Sequence, residues 1–225
     1  MGLVYFLSEN EPQTECTLYQ LLQDLDLSPK NIFILKKGDI SLVELCEQKE
    51  VSILLIQQRK TRKKDIQEGL NECRNLRIPY LFFKSEFKEF NIRKVLVSVG
   101  FLMEDYEKAQ FASAFGRFCN TRITILQAND YGSKAADTVD NMKKLFDKFS
   151  LDYGVEKAKK DSFNLDKETI CKAETEQYDI VLISASREYG LDDIIFGPPE
   201  LHRIKKSSIP LLIVNPRDDL YTLCD

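Results

Sequence analysis

The sequence predicts an α/β protein built on a parallel sheet that is covered by helices on both faces. Short, almost uninterrupted apolar runs alternate with longer segments in which apolar residues recur every three or four positions. The same order of elements occurs twice, and each copy ends in an apolar run that is entered through Ile-Pro. Hydrophobic residues make up 43% of the 225 positions, which is enough for a buried core. We therefore expect two doubly wound halves.

The predicted strands are the apolar runs, because a strand that is buried on both faces needs no polar alternation. Eight runs of four or five residues have this character, and a weaker ninth covers 154–158. The eight runs are 4–7, 32–35, 53–56, 80–83, 95–99, 123–126, 180–183 and 211–214.

Four helices are predicted from apolar stripes with helical spacing, each of which would face the core. Their positions between the runs fit helices that cross from one parallel strand to the next. The stripes are Leu18, Leu21, Leu22 and Leu25; Ile66, Leu70 and Cys73; Tyr106, Ala109, Ala112 and Phe115; and Val139, Met142, Phe146 and Phe149.

The spacing of the runs shows that the first copy is shorter. Val4 and Ile32 are 28 positions apart, as are Val95 and Ile123, but the next interval is 20 positions in the first copy and 56 in the second. The first copy therefore lacks one helix and one strand. In a sheet of order 3-2-1-4-5 the third strand is at the edge, where its loss leaves the centre intact.

The repeat also sets the expected domain boundaries. We expect a truncated half at 1–90, a complete domain at 94–217 and a tail at 218–225, with the boundary in the polar connector 87–93.

Charge and hydropathy favour a cytoplasmic protein and exclude a general attraction to nucleic acid. The chain has 32 basic and 36 acidic residues, a net charge of −4. No run approaches the about 18 apolar residues that span a bilayer, and residues 1–8 lack the basic flank of a signal peptide. We expect no membrane association.

The cysteines and the single histidine give no metal or redox motif. No two cysteines have a metal-binding spacing, so we expect buried packing residues in a reducing compartment, with Cys224 as the exposed thiol. His202 is expected on a surface or in helix packing. The six cysteines are Cys16, Cys46, Cys73, Cys119, Cys171 and Cys224.

Residues 94–217 resemble the universal stress protein family. Three segments carry the resemblance: Lys-Val-Leu-Val-Ser-Val from Lys94, Tyr-Asp-Ile-Val-Leu-Ile-Ser from Tyr178, and Ile-Pro-Leu-Leu-Ile-Val from Ile209. The resemblance implies a Rossmann-like fold of the adenine nucleotide alpha hydrolase type. The internal repeat extends it to the first half as a tandem copy.

In tandem members of this family the two copies pack as a pseudo-dimer through their last strands. Here these strands are the run from Tyr80 to Phe83 and the run from Leu211 to Val214. Because this contact uses one edge, the chain could be monomeric, although the truncated first copy exposes a new edge at which further dimerisation could occur.

The resemblance also implies where a nucleotide would bind, and these positions are altered. Family members that bind ATP have a loop of pattern Gly, two residues, Gly, nine residues, Gly, then Ser or Thr. The equivalent positions here are Ser184, Arg187, Gly197 and Pro198, so only the last glycine is present. Gly100 stands where these members have an acidic residue near the base.

The altered loop has lost the chemistry of a phosphate site. Such a loop brings bare backbone N–H groups to phosphate oxygens, and glycine permits that approach. Pro198 and Pro199 have no N–H to donate, although Pro-Pro-Glu suits the start of a structural helix. We therefore expect no cofactor. In the alternative interpretation, the crevice lined by Ser98, Gly100, Ser184 and Arg187 still senses ATP or another anion.

A second candidate site is a basic run in the first copy, at the position that corresponds to the phosphate loop. Five cations stand in six positions, which suits an anion or an acidic partner, or simply a solvated loop. No aromatic residue interleaves them, so nucleic acid is a weaker hypothesis. The cations are Arg59, Lys60, Arg62, Lys63 and Lys64.

No catalytic machinery is present in the sequence, because it has no nucleophile elbow, metal-ligand cluster or intact glycine-rich loop. The resemblance implies a non-enzymatic stress-response or regulatory protein that acts on an unknown protein partner. The nucleotide-sensing module is the alternative.

Overall fold

The structure is a computed structural model that describes residues 41–58, 63–84, 92–186 and 197–217, together with the backbone of 3–7 and 32–36. Nine strands lie in these residues. They are β1 (Leu3–Leu7), β2 (Ile32–Lys36), β3 (Ile53–Gln58), β4 (Tyr80–Lys84), β5 (Lys94–Val99), β6 (Arg122–Gln127), β7 (Tyr153–Lys157), β8 (Ile180–Ser184) and β9 (Leu211–Val214).

Helices follow most of the strands. The described residues contain six α-helices, and one 3₁₀ helix, Met103–Glu107, precedes the third of them. The α-helices are α1 (Leu42–Gln48), α2 (Lys63–Cys73), α3 (Lys108–Cys119), α4 (Lys134–Lys148), α5 (Leu165–Glu176) and α6 (Pro199–Lys206).

All nine strands belong to one sheet, in the order β2-β1-β3-β4-β9-β8-β5-β6-β7. Neighbouring strands are parallel except β4 and β9, which run antiparallel with Leu81 opposite Leu212. Four strands lie within residues 3–84 and five within residues 94–214. The predicted α/β class and each predicted strand are therefore confirmed, with strand ends that differ by at most two positions.

The helices cover both faces of this sheet, as the doubly wound prediction requires. Buried side chains from α1, α2, α5 and α6 form one hydrophobic core, which includes Leu70, Ile170 and Leu201. Buried side chains from α3 and α4 form a second core on the opposite face, which includes Ala112 and Met142. Alternate strand residues enter the two cores because successive side chains point to opposite faces.

Two predicted core positions are wrong, and a third is only partly buried. Phe115 lies on α3 and packs against the second core, as predicted, but is half-buried. Tyr106 lies in the 3₁₀ helix rather than in α3 and is 36% exposed. Phe149 follows the last residue of α4, is 37% exposed, and holds its ring 4.5 Å from the guanidinium of Arg117. Apolar spacing does not reveal where a helix ends, so these stripes were extended too far.

Of the two other predicted helix stripes, one is confirmed and one lies outside the described residues. Ile66, Leu70 and Cys73 are buried on α2, as predicted. The leucine stripe at 18–25, the connector 87–91 and the tail 218–225 lie outside the described residues.

The cysteines differ from the prediction at one exposed position. Cys46 and Cys73 are buried, and burial raises the pKa of both thiols, that of Cys46 to about 11. Cys119 is half-buried and its thiol pKa is also raised by burial. Cys171 is exposed on α5, where a buried residue was predicted. Cys16 and Cys224 lie outside the described residues.

Asn215 joins the segment after β9 to residues 73–80. Its side-chain NH₂ donates to the carbonyls of Cys73 and Leu76 at 2.8 and 2.9 Å, and its Oδ1 accepts a hydrogen bond from Tyr80 Oη at 2.8 Å. These bonds continue the antiparallel contact of β4 and β9 beyond the strands themselves.

Candidate functional site

The candidate crevice lies where the strand order of the second copy reverses. From β5 the chain builds outward through β6 and β7 on one side and through β8 and β9 on the other. Ligands of open parallel sheets bind at the carboxyl ends of the two strands that flank such a point. Here those ends are Gly100, after β5, and Ser184, the last residue of β8.

The carboxylate of Asp105 lies between these two strand ends. Its Oδ2 accepts a hydrogen bond from Gly100 N at 2.5 Å, and its Oδ1 accepts one from Ser184 Oγ at 2.7 Å. Asp105 is 5% exposed, so this carboxylate is within the protein. The donors that face the crevice at both strand ends are therefore already occupied by a side chain of the same chain.

Lys108 supplies the positive charge that a buried carboxylate requires. Its Nζ lies 2.7 Å from Asp105 Oδ1, and the lysine side chain is 1% exposed. The 3₁₀ helix begins three residues after Gly100, and its continuation into α3 places positions 105 and 108 on one face. A short turn directly after β5 thus returns an ion pair to the strand ends.

Two of the predicted crevice residues serve the sheet itself. Ser98 is 1% exposed, and its Oγ donates to the carbonyl of Leu182 on β8 at 3.2 Å. Gly100 has no room for a side chain, because a Cβ there would lie 2.6 Å from Ser162 Oγ and 3.3 Å from Asp105 Oδ2. Glycine at position 100 therefore leaves room for these two side chains.

Ser162 and Asp130 close the crevice from the side of β6 and β7. Phe101 N donates to Ser162 Oγ at 2.9 Å, and Ser162 Oγ in turn donates to Asp130 Oδ2. Ser162 N donates to Asp130 Oδ1 at 2.9 Å. This chain of hydrogen bonds joins the segments that follow β5, β6 and β7.

The described part of the altered loop has the structure of a helix start. Gly197 has φ +83°, and a Cβ there would lie 2.9 Å from Leu201 Cδ1, so both backbone and packing require glycine. Pro198 caps α6 and Pro199 is its first residue, which leaves neither with an N–H to offer. Arg187 lies outside the described residues.

A second internal carboxylate occupies this loop. Glu200, fully buried in the first turn of α6, accepts a hydrogen bond from Ser186 N through Oε1. Its Oε2 has no hydrogen-bond donor among the residues that the structure describes. The backbone donor that follows β8 is thus used by a side chain rather than left open for an anion.

The basic run is described only at its end. Lys63 and Lys64 are exposed in the first turn of α2, while Arg59, Lys60 and Arg62 lie outside the described residues. Lys63 Cε lies 3.3 Å from the position that a Cβ on Gly197 would take. The end of the basic run and the end of the altered loop are therefore neighbours in the fold.

His202 and Cys171 line a groove rather than the crevice. The groove lies between α5 and α6, has a volume of about 630 Å³, and carries basic side chains at Lys167, Arg203 and Lys206. Arg203 is paired with Asp166 at 2.8 Å. His202 is exposed, in agreement with the expected surface position.

Two classes of feature are absent from the part of the chain that the structure describes. No group of three or more His, Cys, Asp or Glu residues is arranged to hold a metal ion there. Within the same residues, no helix has the length and apolar character to cross a bilayer.

Sequence reasoning missed the residues that fill the crevice: Asp105, Lys108, Asp130, Ser162 and Glu200. One signal was present, since Glu104, Asp105 and Lys108 follow a buried strand within nine positions of Val99. Charged residues at that place face the carboxyl ends of neighbouring strands. The roles of Asp130 and Ser162 had no local signal.

Comparison with solved structures shows which proteins share this fold. A universal stress protein from Archaeoglobus fulgidus DSM 4304 is 16% identical, with a TM-score of 0.63 over 97% of this chain and 88% of that one. A functionally unknown protein from Pseudomonas aeruginosa PAO1 is 11% identical, and a candidate universal stress protein from P. aeruginosa UCBPP-PA14 is 12% identical. Both have a TM-score of 0.57 over 97% of this chain and 83% of theirs.

This chain therefore has the fold of universal stress proteins, and the resemblance found in the sequence is confirmed at the level of the fold. No protein-family model and no curated protein matches the sequence. Identities this low carry the architecture but not the ligand or the activity.

Proposed function

We propose that this chain is a non-enzymatic regulatory protein of the universal stress protein type that binds other proteins in the cytoplasm and does not bind ATP. The observation that carries the proposal is the position of Asp105, whose carboxylate accepts hydrogen bonds from both strand ends of the crevice. A side chain takes the place that a ligand would occupy.

Electrostatics supports the absence of ATP. A triphosphate would bring several negative charges to a crevice that already contains Asp105 and, at the altered loop, Glu200. The positive charge of Lys108 is matched by Asp105 at 2.7 Å and is not free to hold a phosphate. In a site shielded from water, an unmatched anion is strongly disfavoured.

Backbone chemistry supports the same conclusion. The N–H groups of Gly100, Phe101 and Ser186 donate to Asp105, Ser162 and Glu200. Pro198 and Pro199, at the start of α6, have none. A nucleotide would have to displace internal acceptors at each of these donors, and each displaced carboxylate would lose its partner.

The absence of an enzymatic activity is part of the proposal. The hydroxyl of Ser184 donates to a carboxylate that is itself paired with Lys108, so it has no adjacent base that is free to activate it. The sequence has one histidine, His202, and it lines the groove between α5 and α6.

Thermal unfolding tests the proposal directly, because a ligand that binds only the folded state raises the midpoint. We expect no shift with millimolar ATP and magnesium. A saturable rise of about 2 °C or more would overturn the proposal and support the nucleotide sensor instead. GTP and inorganic triphosphate serve as specificity controls.

We also propose that the antiparallel contact of β4 with β9 acts as an internal pseudo-dimer interface. Leu81 opposite Leu212, and the hydrogen bonds of Asn215 to Tyr80, Cys73 and Leu76, support this proposal. Since the contact uses these two strands within one chain, we expect a monomer. Light scattering after gel filtration tests it, and a stable dimer at micromolar concentration would contradict it.

A further inference from the structure

Four large apolar side chains stand in the segments that follow the carboxyl ends of β5, β6 and β7, and we call them the aromatic rim. Tyr131 is fully exposed, Phe163 is 77% exposed and Met103 is 62% exposed. The fourth is Phe101, whose ring centroid lies 5.8 Å from that of Phe163. Large apolar side chains clustered on a surface mark interaction sites more often than scattered ones do.

The aromatic rim is held in place by hydrogen bonds beneath it. Phe101 N donates to Ser162 Oγ at 2.9 Å, and Ser162 N donates to Asp130 Oδ1 at 2.9 Å. Phe101 is itself a rim residue, and Asp130 and Ser162 directly precede the rim residues Tyr131 and Phe163. These bonds fix the backbone of the segments that carry the rim residues, so the relative positions of these residues along the sheet edge are set before a partner binds.

Positive charge surrounds the aromatic rim. Lys157, Lys159 and Lys160 are exposed at and beyond the end of β7, and Lys134 is exposed at the start of α4. Asn129 N donates to the carbonyl of Lys160 at 2.8 Å, which joins the segment after β7 to the one that carries Tyr131. None of the four amino groups is in an ion pair with another described residue.

Three acidic side chains near the rim already accept hydrogen bonds. Asp130 accepts hydrogen bonds from Ser162, and Asp161 accepts them from the backbone and side chain of Asn164. Glu168 accepts hydrogen bonds from the backbone of Lys159 and of Lys160, both at 2.8 Å. The rim thus combines apolar contact area with lysines that are available to a partner.

We propose that the aromatic rim and its lysines bind a segment of another protein that carries apolar side chains among carboxylates. The apolar residues would pack on Phe101, Tyr131 and Phe163, and the carboxylates would face Lys159 and Lys160. Aromatic residues and Met are enriched in the centres of protein interfaces, and charges at their margin steer and orient the partner. This inference rests on the proposed protein-binding function and names its surface.

Two other occupants fit the charges less well. A second copy of this chain packed rim to rim about a twofold axis would place lysines against lysines. Single-stranded nucleic acid would stack on the rings, but the net charge of −4 gives no general attraction for it.

A peptide selection on the full-length protein tests the proposal. A phage-displayed library of random dodecapeptides is selected on the wild type, and the enriched sequences are synthesised with a fluorescein label. We expect them to be richer in Asp and Glu than the library and to contain apolar residues. Fluorescence anisotropy should then show binding that weakens as salt is raised.

Matched variants locate the contact. Phe163→Ala and Tyr131→Ala should each weaken binding about tenfold or more, as at an interface hot spot, and Lys160→Glu about threefold or more. Phe118→Ala is the control, because Phe118 is 71% exposed at the end of α3, near the opposite ends of the strands. These side chains are exposed, so we expect all four variants to fold normally.

Several outcomes would overturn the inference. The selection would contradict it if no peptides were enriched or if the enriched peptides were basic. The variants would contradict it if Phe118→Ala weakened peptide binding as much as Phe163→Ala does. Weaker binding to Lys167→Glu would also contradict it, since that would place the peptide in the α5–α6 groove. Self-association of the protein that Phe163→Ala removes would assign the rim to a second copy of the chain. Salt-sensitive binding of oligothymidylate, without binding of acidic peptides, would assign the rim to nucleic acid. The thermal test with ATP is independent, so failure here leaves the proposal about ATP standing.

Discussion

Asp105 and Ser184, which are 79 positions apart in the chain, meet through a hydrogen bond of 2.7 Å at the carboxyl ends of two neighbouring strands. The bond joins the turn after β5 to the end of β8, across the point where nucleotides bind in sheets of this kind. This contact closes the crevice and also stabilises the fold. Substitutions of Asp105 should therefore change both the access to the crevice and the free energy of unfolding.

The buried pair of Lys108 with Asp105 should be essential for stability. Lys108→Met leaves the Asp105 carboxylate buried without its cation, and we expect it to lower the free energy of unfolding by about 3–5 kcal/mol. Urea unfolding measures this loss.

The control for Lys108→Met is Lys143→Met. Lys143 pairs with Asp140 at 2.9 Å, but that pair is exposed and should contribute about 1 kcal/mol or less. The double variant Asp105→Asn with Lys108→Met should lose less than the sum of the two single variants. Equal losses for Lys108→Met and Lys143→Met would contradict the role of the buried pair.

Gly100 should tolerate no side chain. A Cβ there would lie 2.6 Å from Ser162 Oγ, so Gly100→Ala should lower the free energy of unfolding by about 1–3 kcal/mol. Chemical denaturation tests this, with Gly154→Ala as the control, since no atom lies within 4 Å of a Cβ at position 154. Because Ser162 Oγ also bonds Phe101 N and Asp130, Gly100→Ala combined with Ser162→Gly should lose less than the sum of the two single variants, and additive losses would mean that strain elsewhere is responsible.

Asn215 should be required to join the two copies. Asn215→Ala leaves the carbonyls of Cys73 and Leu76 and the hydroxyl of Tyr80 without this partner. We expect a loss of about 2–3 kcal/mol in the free energy of unfolding. Asn141→Ala removes only an exposed contact with Lys144 and should change it by about 0.5 kcal/mol or less. Similar melting curves for the two variants would disprove the prediction.

The thiols should react with Ellman's reagent in two groups. Cys171 is exposed and should react within seconds to minutes at pH 8, whereas burial raises the thiol pKa of Cys46 and Cys73 and leaves little thiolate. The rates for Cys46→Ser and Cys171→Ser identify the groups. Removal of Cys171 should lower the amplitude of the fast phase, to which Cys224 is also expected to contribute, and removal of Cys46 should leave that amplitude unchanged.

The raised pKa of Cys46 also predicts how stability depends on pH. The thiol ionises at its usual 9.0 in the unfolded chain and at about 11 in the folded one, so the unfolded state loses its proton first. The stabilising effect of the neutral buried thiol is complete below pH 9 and is lost as the pH rises toward 11. Urea midpoints from pH 8 to 11 should therefore fall more steeply for the wild type than for Cys46→Ala, and parallel curves would contradict this.

Much of the fold could be predicted because its signals are local. Each strand is a short apolar run, and the buried faces of α2 and α4 follow from spacing within one segment. Errors arose at helix ends, where Tyr106 and Phe149 continue the apolar spacing after the helical backbone has changed. Exposure of Cys171 was missed because its side of α5 faces the groove beside α6, and one helix's sequence does not contain that relationship.

The sequence by itself determined the α/β class, the order of the strands along the chain and the segments that resemble universal stress proteins. Only the tertiary structure decided what fills the crevice. Asp105 meets Ser184, and Ser162 meets Asp130, across separations of 79 and 32 positions. Such contacts depend on which strands become neighbours and on where each connecting turn returns to the sheet, and no periodicity within a single segment records either.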